Sequence, residues 1–148
     1  MTISKESAIQ FKGLCNVRIN RVRFRITGLK TASGVDGGVL VSIKLTHNGE
    51  ETILGRQSNP FHFQHDAVST TYAFRLYNAN SIAVVDGNIG EAQINQVASP
   101  YARIGPFAEW KVEFVGVDVD KLDFTGVTGA YFDFCGTCYT ALAAKTVG

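Results

Sequence analysis

The sequence predicts an all-β domain: an antiparallel β-sandwich, jelly-roll-like, of eight to ten short strands. Three observations carry this. The patterned stretches are rich in Val, Ile and Thr and in the ten Phe and five Tyr of the 148 residues, a usage that fits pleated, half-buried surfaces. Apolar residues recur with period two in stretch after stretch, and no segment sustains a period of 3.6. Glycine and asparagine turns separate these stretches at short intervals.

Taken in order, residues 1–15 read as a loosely ordered lead-in to one domain spanning 1–148. From Val17 the alternation begins, with Asn20, Val22, Phe24 and Ile26 on one face and Ile19, Arg21, Arg23 and Arg25 on the other. Gly28 to Gly38 reads as a long turn. Val39, Val41, Ile43 and Leu45 mark the next strand. His47-Asn48-Gly49 follows, and Asn-Gly between alternating stretches predicts a tight hairpin, with Glu51 to Arg56 as the returning strand. Ser58-Asn59-Pro60 is a break. Thr71 to Tyr77 and Ser81 to Val85 are strands on either side of an asparagine turn, and Asp86 to Gly90 is a further glycine turn. Glu91 to Val97 is a more polar strand suited to a sheet edge. Trp110, Val112 and Phe114 alternate over Lys111 and Glu113, and Ala130, Phe132 and Phe134 open the last strong strand. The tail, residues 140–148, has room for one helical turn but no cap.

Composition bounds the function. With 45% apolar and 18% charged residues, the chain has the material for a core and is not of the disordered class. A formal net charge of +1 gives no global attraction to nucleic acid or an anionic membrane. No apolar run is long enough for a membrane-spanning helix. The first residues, MTISKESAIQFKG, lack an apolar signal-peptide core. Three cysteines, an odd number, with no such signal predict reduced thiols, and hence a cytoplasmic chain or one exported without a Sec signal.

Ser99 to Phe114, SPYARIGPFAEWKVEF, gathers two of the three prolines and the only tryptophan. A loop of this composition fixes backbone direction and plants a large aromatic at a strand entrance. Trp110 is in phase with Val112 and Phe114, which predicts a core position. Tyr101, Arg103 and Phe107 are the candidates for contact with a partner, because loop aromatics serve as interface anchors or sugar-stacking platforms.

From about Val17 to Leu142 the chain resembles the C-terminal β-rich domain of the A component of Tc insecticidal toxin complexes. The likeness lies in the order and spacing of INRVRFRITGL, GGVLVSIKLTH, SIAVVDGNIG, the set Pro100, Tyr101, Gly105 and Trp110, and KLDFTGVTGAYFDF. Ala102 and Arg103 depart from the family's usual Glu-Gly, and the stretch before Pro100 is shorter. In that family this domain binds the B component. The resemblance therefore implies a docking or assembly module, with another protein or a second copy of itself as partner. The family's shell, receptor-binding and channel regions have no counterpart here, so toxin translocation is not implied.

The remaining chemistry is sparse. Cys135-Gly136-Thr137-Cys138 falls on a β segment, whereas redox motifs of this form open a helix; bridged, free and metal-bound thiols are the alternatives. His62 and His65 lie on opposite faces of a strand, flanking a Phe63 expected in the core, and share a metal ion only if the backbone bends. Asp118, Asp120 and Asp123 are weak calcium candidates, because calcium takes several oxygens from one loop, but they lack the glycine and terminal glutamate of a calcium loop. Apart from that calcium no cofactor is expected. Arg21, Arg23 and Arg25 form a stripe suited to cross-strand pairing or to a charged docking surface. No Ser-His-Asp set, paired-carboxylate site or phosphate-binding glycine loop occurs, so an enzyme is not expected. The expectation is a non-enzymatic docking module. A carbohydrate-binding jelly roll, with a glycan on exposed rings, is the alternative.

Overall fold

In the computed structural model, residues 11–77, 82–87 and 103–141 are described. Nine strands lie among them: β1 (Leu14–Thr27), β2 (Lys30–Thr31), β3 (Val39–Leu54), β4 (Pro60–Gln64), β5 (Val68–Leu76), β6 (Ile82–Gly87), β7 (Ala108–Val115), β8 (Leu122–Asp123) and β9 (Gly129–Thr140). The all-β, antiparallel, sandwich-like class expected from the sequence is what the chain adopts. No helix among the described residues is long and apolar enough to cross a membrane.

One sheet has the order β6-β1-β9. The other is built on β3. Its residues 39–47 pair with β5, 50–54 with β4, and 42–51 with β7. The overlap of the β5 and β7 registers places those strands on opposite edges of β3, with β4 continuing the line of β5. A two-stranded ribbon, β2-β8, completes the pairing.

Period two explains the core. Val39, Val41, Ile43 and Leu45 of β3 face inward, and Val22, Phe24 and Ile26 of β1 meet them in one buried cluster with Trp110. Each such aliphatic side chain removed from water contributes about 1.5–3 kcal/mol. β1 departs from strict alternation. Its register against β9 shifts between Cys15 and Arg18 and again between Ile19 and Arg21. The second shift is a bulge that reverses the phase, so Ile19 is buried together with Val22 instead of sharing the outer face with the arginines. Leu14 and Cys15 already pair with Thr140 and Tyr139, so the ordered strand starts inside the expected lead-in.

The Asn-Gly expectation is corrected. β3 runs through Asn48-Gly49 without reversing. Gly49 has φ +91° and gives a bulge rather than a turn, and its carbonyl accepts the His65 N–H at 2.9 Å. A Cβ there would stand 2.0 Å from the His65 carbonyl oxygen. The chain reverses later, at Gly55 to Asn59, where the Gly55 N–H donates to the Asn59 carbonyl at 2.8 Å. A single glycine with positive φ suffices for a bulge, whereas a two-residue hairpin of this type needs positive φ at both central residues. Asp86 and Gly87, expected in a turn, are the last residues of β6 and pair with Arg23 and Val22. The polar strand expected at 91–97 and the helical turn expected in the tail lie outside the described residues.

Candidate functional site

The inward face of β3 carries hydrophobic residues up to Leu45, and then two polar ones, His47 and Glu51, 0% and 6% exposed. A sandwich core admits such groups only where partners satisfy them. The partners come from three directions because this is where β5 gives way to β4 beside β3. The connection 65–67 brings His65 against His47, the rings stacked with centroids 5.1 Å apart. From the opposite edge Trp110, paired with His47 in register, meets its ring edge-on at 5.0 Å. From β1, Arg18 Nη1 lies 3.5 Å from Glu51 Oε1.

The loop before β7 closes the site. The Gly105 N–H donates to Glu51 Oε2, and a Cβ on Gly105 would lie 3.0 Å from that oxygen and 2.5 Å from Ile53 Cδ1. Glycine is thus what lets the backbone approach the carboxylate. The Arg103 carbonyl accepts Arg18 Nη1 at 2.8 Å, the Ile104 carbonyl accepts the Ile19 N–H at 2.9 Å, and Trp110 Nε1–H donates to the Pro106 carbonyl at 3.2 Å. The proline-aromatic loop is bonded to β1, to Glu51 and to its own tryptophan.

Charge is arranged unequally here. Burial, and secondly the neighbouring His65, push the His47 pKa down to about 4, because a desolvated ring resists a proton. His47 Nε2 stands 3.9 Å from Glu51 Oε2, yet at neutral pH this is not an ion pair; Arg18 supplies the positive charge. His47 Nδ1 accepts the Gly49 N–H at 3.0 Å. His65 Nδ1 lies 2.7 Å from the Asp66 carbonyl oxygen, which can only accept, so that nitrogen carries the proton. The Nε2 atoms of both histidines are buried and make no hydrogen bond of normal geometry, although the Gly105 backbone lies close enough to His47 to favour its protonated form weakly. His47, Glu51 and His65 each offer a ligand atom, all within 4.8 Å of one another.

A second feature lies beside this centre. Phe61 and Phe63 of β4 pair with Ile53 and Glu51 and so share the inward face of the sheet, yet they are 48% and 46% exposed. All five β4 residues are exposed. Among the described residues β4 pairs with β3 alone, leaving its outer edge open. One arginine borders the patch: Arg18 lies 5.8 Å from the Phe63 ring centroid.

The residues singled out from sequence are distributed differently. Trp110 is fully buried, as its alternation requires. Phe107, expected at the surface, is 6% exposed and packs edge-on against Phe11 at 5.2 Å; the loop folds inward from Ile104 to Ala108. Phe63 reverses in the other sense, exposed where a core position was expected, and His65 turns in beside His47. Arg103 is half-buried, its carbonyl engaged by Arg18. Tyr101 and the side chain of Arg23 lie outside the described residues. Arg21 is exposed, while Arg25 pairs across the strands with Asp133 at 2.9 Å and lies over Tyr131. Asp118 accepts the Asp120 N–H, and Asp123 accepts Thr125 Oγ1–H and N–H. These are turn-forming bonds, and the three aspartates do not gather as a ligand set. Cys135 and Cys138 are exposed free thiols and Cys15 is a buried one. Sequence reasoning missed His47 and Glu51. The available signal was polar residues continuing the odd-numbered apolar positions of β3.

No family model, no curated protein and no solved structure matches this chain.

Proposed function

We propose that this domain is a non-enzymatic docking module that takes an extended, acidic, apolar-bearing segment of another protein along β4. The supporting observation is the exposure of Phe61 and Phe63 on what is, by register, the core-facing side of a strand whose outer edge has no partner among the described residues. Edge strands usually carry protection against pairing; this one has Pro60 at its start but presents two aromatics along its length. An added strand would satisfy the free backbone groups of β4, and its alternate side chains would meet the two rings. Arg18 lies over Phe63, and β4 itself, PFHFQ, holds no acid, which favours a negatively charged partner. This is also the kind of role that the resemblance to the toxin-complex domain implies.

The test is selection from a displayed peptide library on the immobilised domain, repeated with Phe61→Asp and Phe63→Asp. The expected result is enrichment of acidic sequences with alternating apolar residues, lost in both variants while their far-ultraviolet circular dichroism stays native. Failure to enrich any sequence, or enrichment that the variants leave intact, would overturn the proposal. Binding on a glycan array, abolished by the same variants, would establish the sugar-stacking alternative in its place.

A further inference from the structure

The geometry points to a divalent transition-metal site formed by His47, Glu51 and His65. Two imidazole nitrogens and a carboxylate are a donor set suited to zinc, cobalt(II), nickel or copper rather than to calcium or magnesium. Their ligand atoms lie within 4.8 Å of one another, while bonds of about 2.0–2.2 Å to a tetrahedral ion require somewhat closer spacing.

Two observations favour a ligand over a satisfied polar core. Both Nε2 atoms are buried with no hydrogen bond of normal geometry, and His47 is 0% exposed. His65 is also oriented as metal-bound histidines are, its Nδ1–H donated to the Asp66 carbonyl oxygen and its Nε2 lone pair turned inward. Glu51 is held by Arg18 and by the Gly105 N–H, which leaves further lone pairs on its two oxygens. Three protein ligands leave a fourth position for water or an incoming group.

His47 sets the cost. Its Nδ1 accepts the Gly49 N–H, so in the metal-free protein its proton sits on Nε2. To ligate, the ring gives that proton to solvent, takes one up on Nδ1 and gives up the Gly49 hydrogen bond. No net proton is released, but one bond is lost, and the positive charge of Arg18 remains nearby. The site therefore takes a metal with strong imidazole affinity and leaves magnesium and calcium unbound.

The test is titration of the purified protein with cobalt(II) and zinc chlorides, followed by visible absorption and by calorimetry, alongside His65→Gln, Glu51→Gln, His62→Gln and a Cys135→Ser/Cys138→Ser variant. One equivalent is expected, with visible cobalt bands and no thiolate charge-transfer band. Zinc affinity should fall by at least about tenfold in His65→Gln and be unchanged in His62→Gln and the serine variant. If Glu51→Gln fails to fold, the partly accessible His65 position carries the test. Absence of a cobalt spectrum, unchanged affinity in a folded His65→Gln, or loss of binding in the serine variant would overturn the assignment.

Discussion

Arg18 Nη1 stands 3.5 Å from Glu51 Oε1 while the same guanidinium lies 5.8 Å from the ring centroid of the exposed Phe63. One side chain thus joins the buried polar centre to the surface aromatic patch. Its exposure of 20%, against 4% for the Glu51 side chain, means that the carboxylate depends on the arginine more than the reverse. Arg18→Met should cost about 2 kcal/mol or more, because it leaves a buried carboxylate without its counter-charge. Adding Glu51→Gln to that variant should recover part of the loss. Urea unfolding of the two single variants and the double variant measures the coupling.

Acid should weaken the fold through His47. Its pKa is near 4 in the folded protein, whereas an unfolded chain takes up that proton near the ordinary 6.5. The stabilisation is fully present above pH 6.5, is lost as pH falls from 6.5 to 4, and changes no further below that. A gap of this size corresponds to about 3 kcal/mol. The charged or titrating groups facing His47 are His65, Glu51 and, through Glu51, Arg18. Proton NMR of the His47 ring should show no titration centred near 6.5; a midpoint there would refute the burial argument.

Trp110→Ala should lower stability by about 3 kcal/mol or more, as large core truncations do. The indole is fully buried and contacts the rings of His47, Phe132 and Phe134. An unchanged melting temperature would show that the side chain does not fill the core.

Gly49→Ala should be more damaging than a surface alanine substitution, costing about 2 kcal/mol or more through backbone strain. Both φ +91° and the overlap with the His65 carbonyl oppose a Cβ. Thermal unfolding beside an Asn48→Ala control separates this from loss of the Asn48 Oδ1 bond to the Glu50 N–H.

In the folded protein a small thiol reagent should modify Cys135 and Cys138 readily and Cys15 only on unfolding, since the first two are exposed and the last buried. Mass spectrometry after brief labelling with and without denaturant checks this.

What was legible in the sequence was whatever the period of two determines locally. The inner faces of β1, β3, β7 and β9, the burial of Trp110 and the absence of long helices among the described residues follow from patterning. The bulges were not legible, because Asn20 and Gly49 alter phase or pairing without changing the local alternation. The site was hidden for the same reason. His47 and His65 meet only because β3 continues past Asn48-Gly49 and reverses eight residues after His47, which no local signal distinguishes from the tight hairpin. Phe107 and Phe63 exchanged their expected environments because the loop before β7 folds inward while every residue of β4 is exposed, Phe63 being met by the Arg18 side chain.

The pairing of β1 with β9, in which Leu14 faces Thr140 and the Ala141 N–H donates to the Gly13 carbonyl at 2.8 Å, bears on biosynthesis. The first described strand finds its partner only when the last has been made, and the loop closed between them spans nearly the whole domain. Contacts of such sequence separation slow folding. During translation β1 waits beside β6 alone, with the edge meant for β9 bare, until β9 leaves the ribosome. A nascent chain stalled before Gly129 would hold half of its sandwich without a closing strand, and that intermediate, rather than the finished domain, is where chaperones would be expected to act.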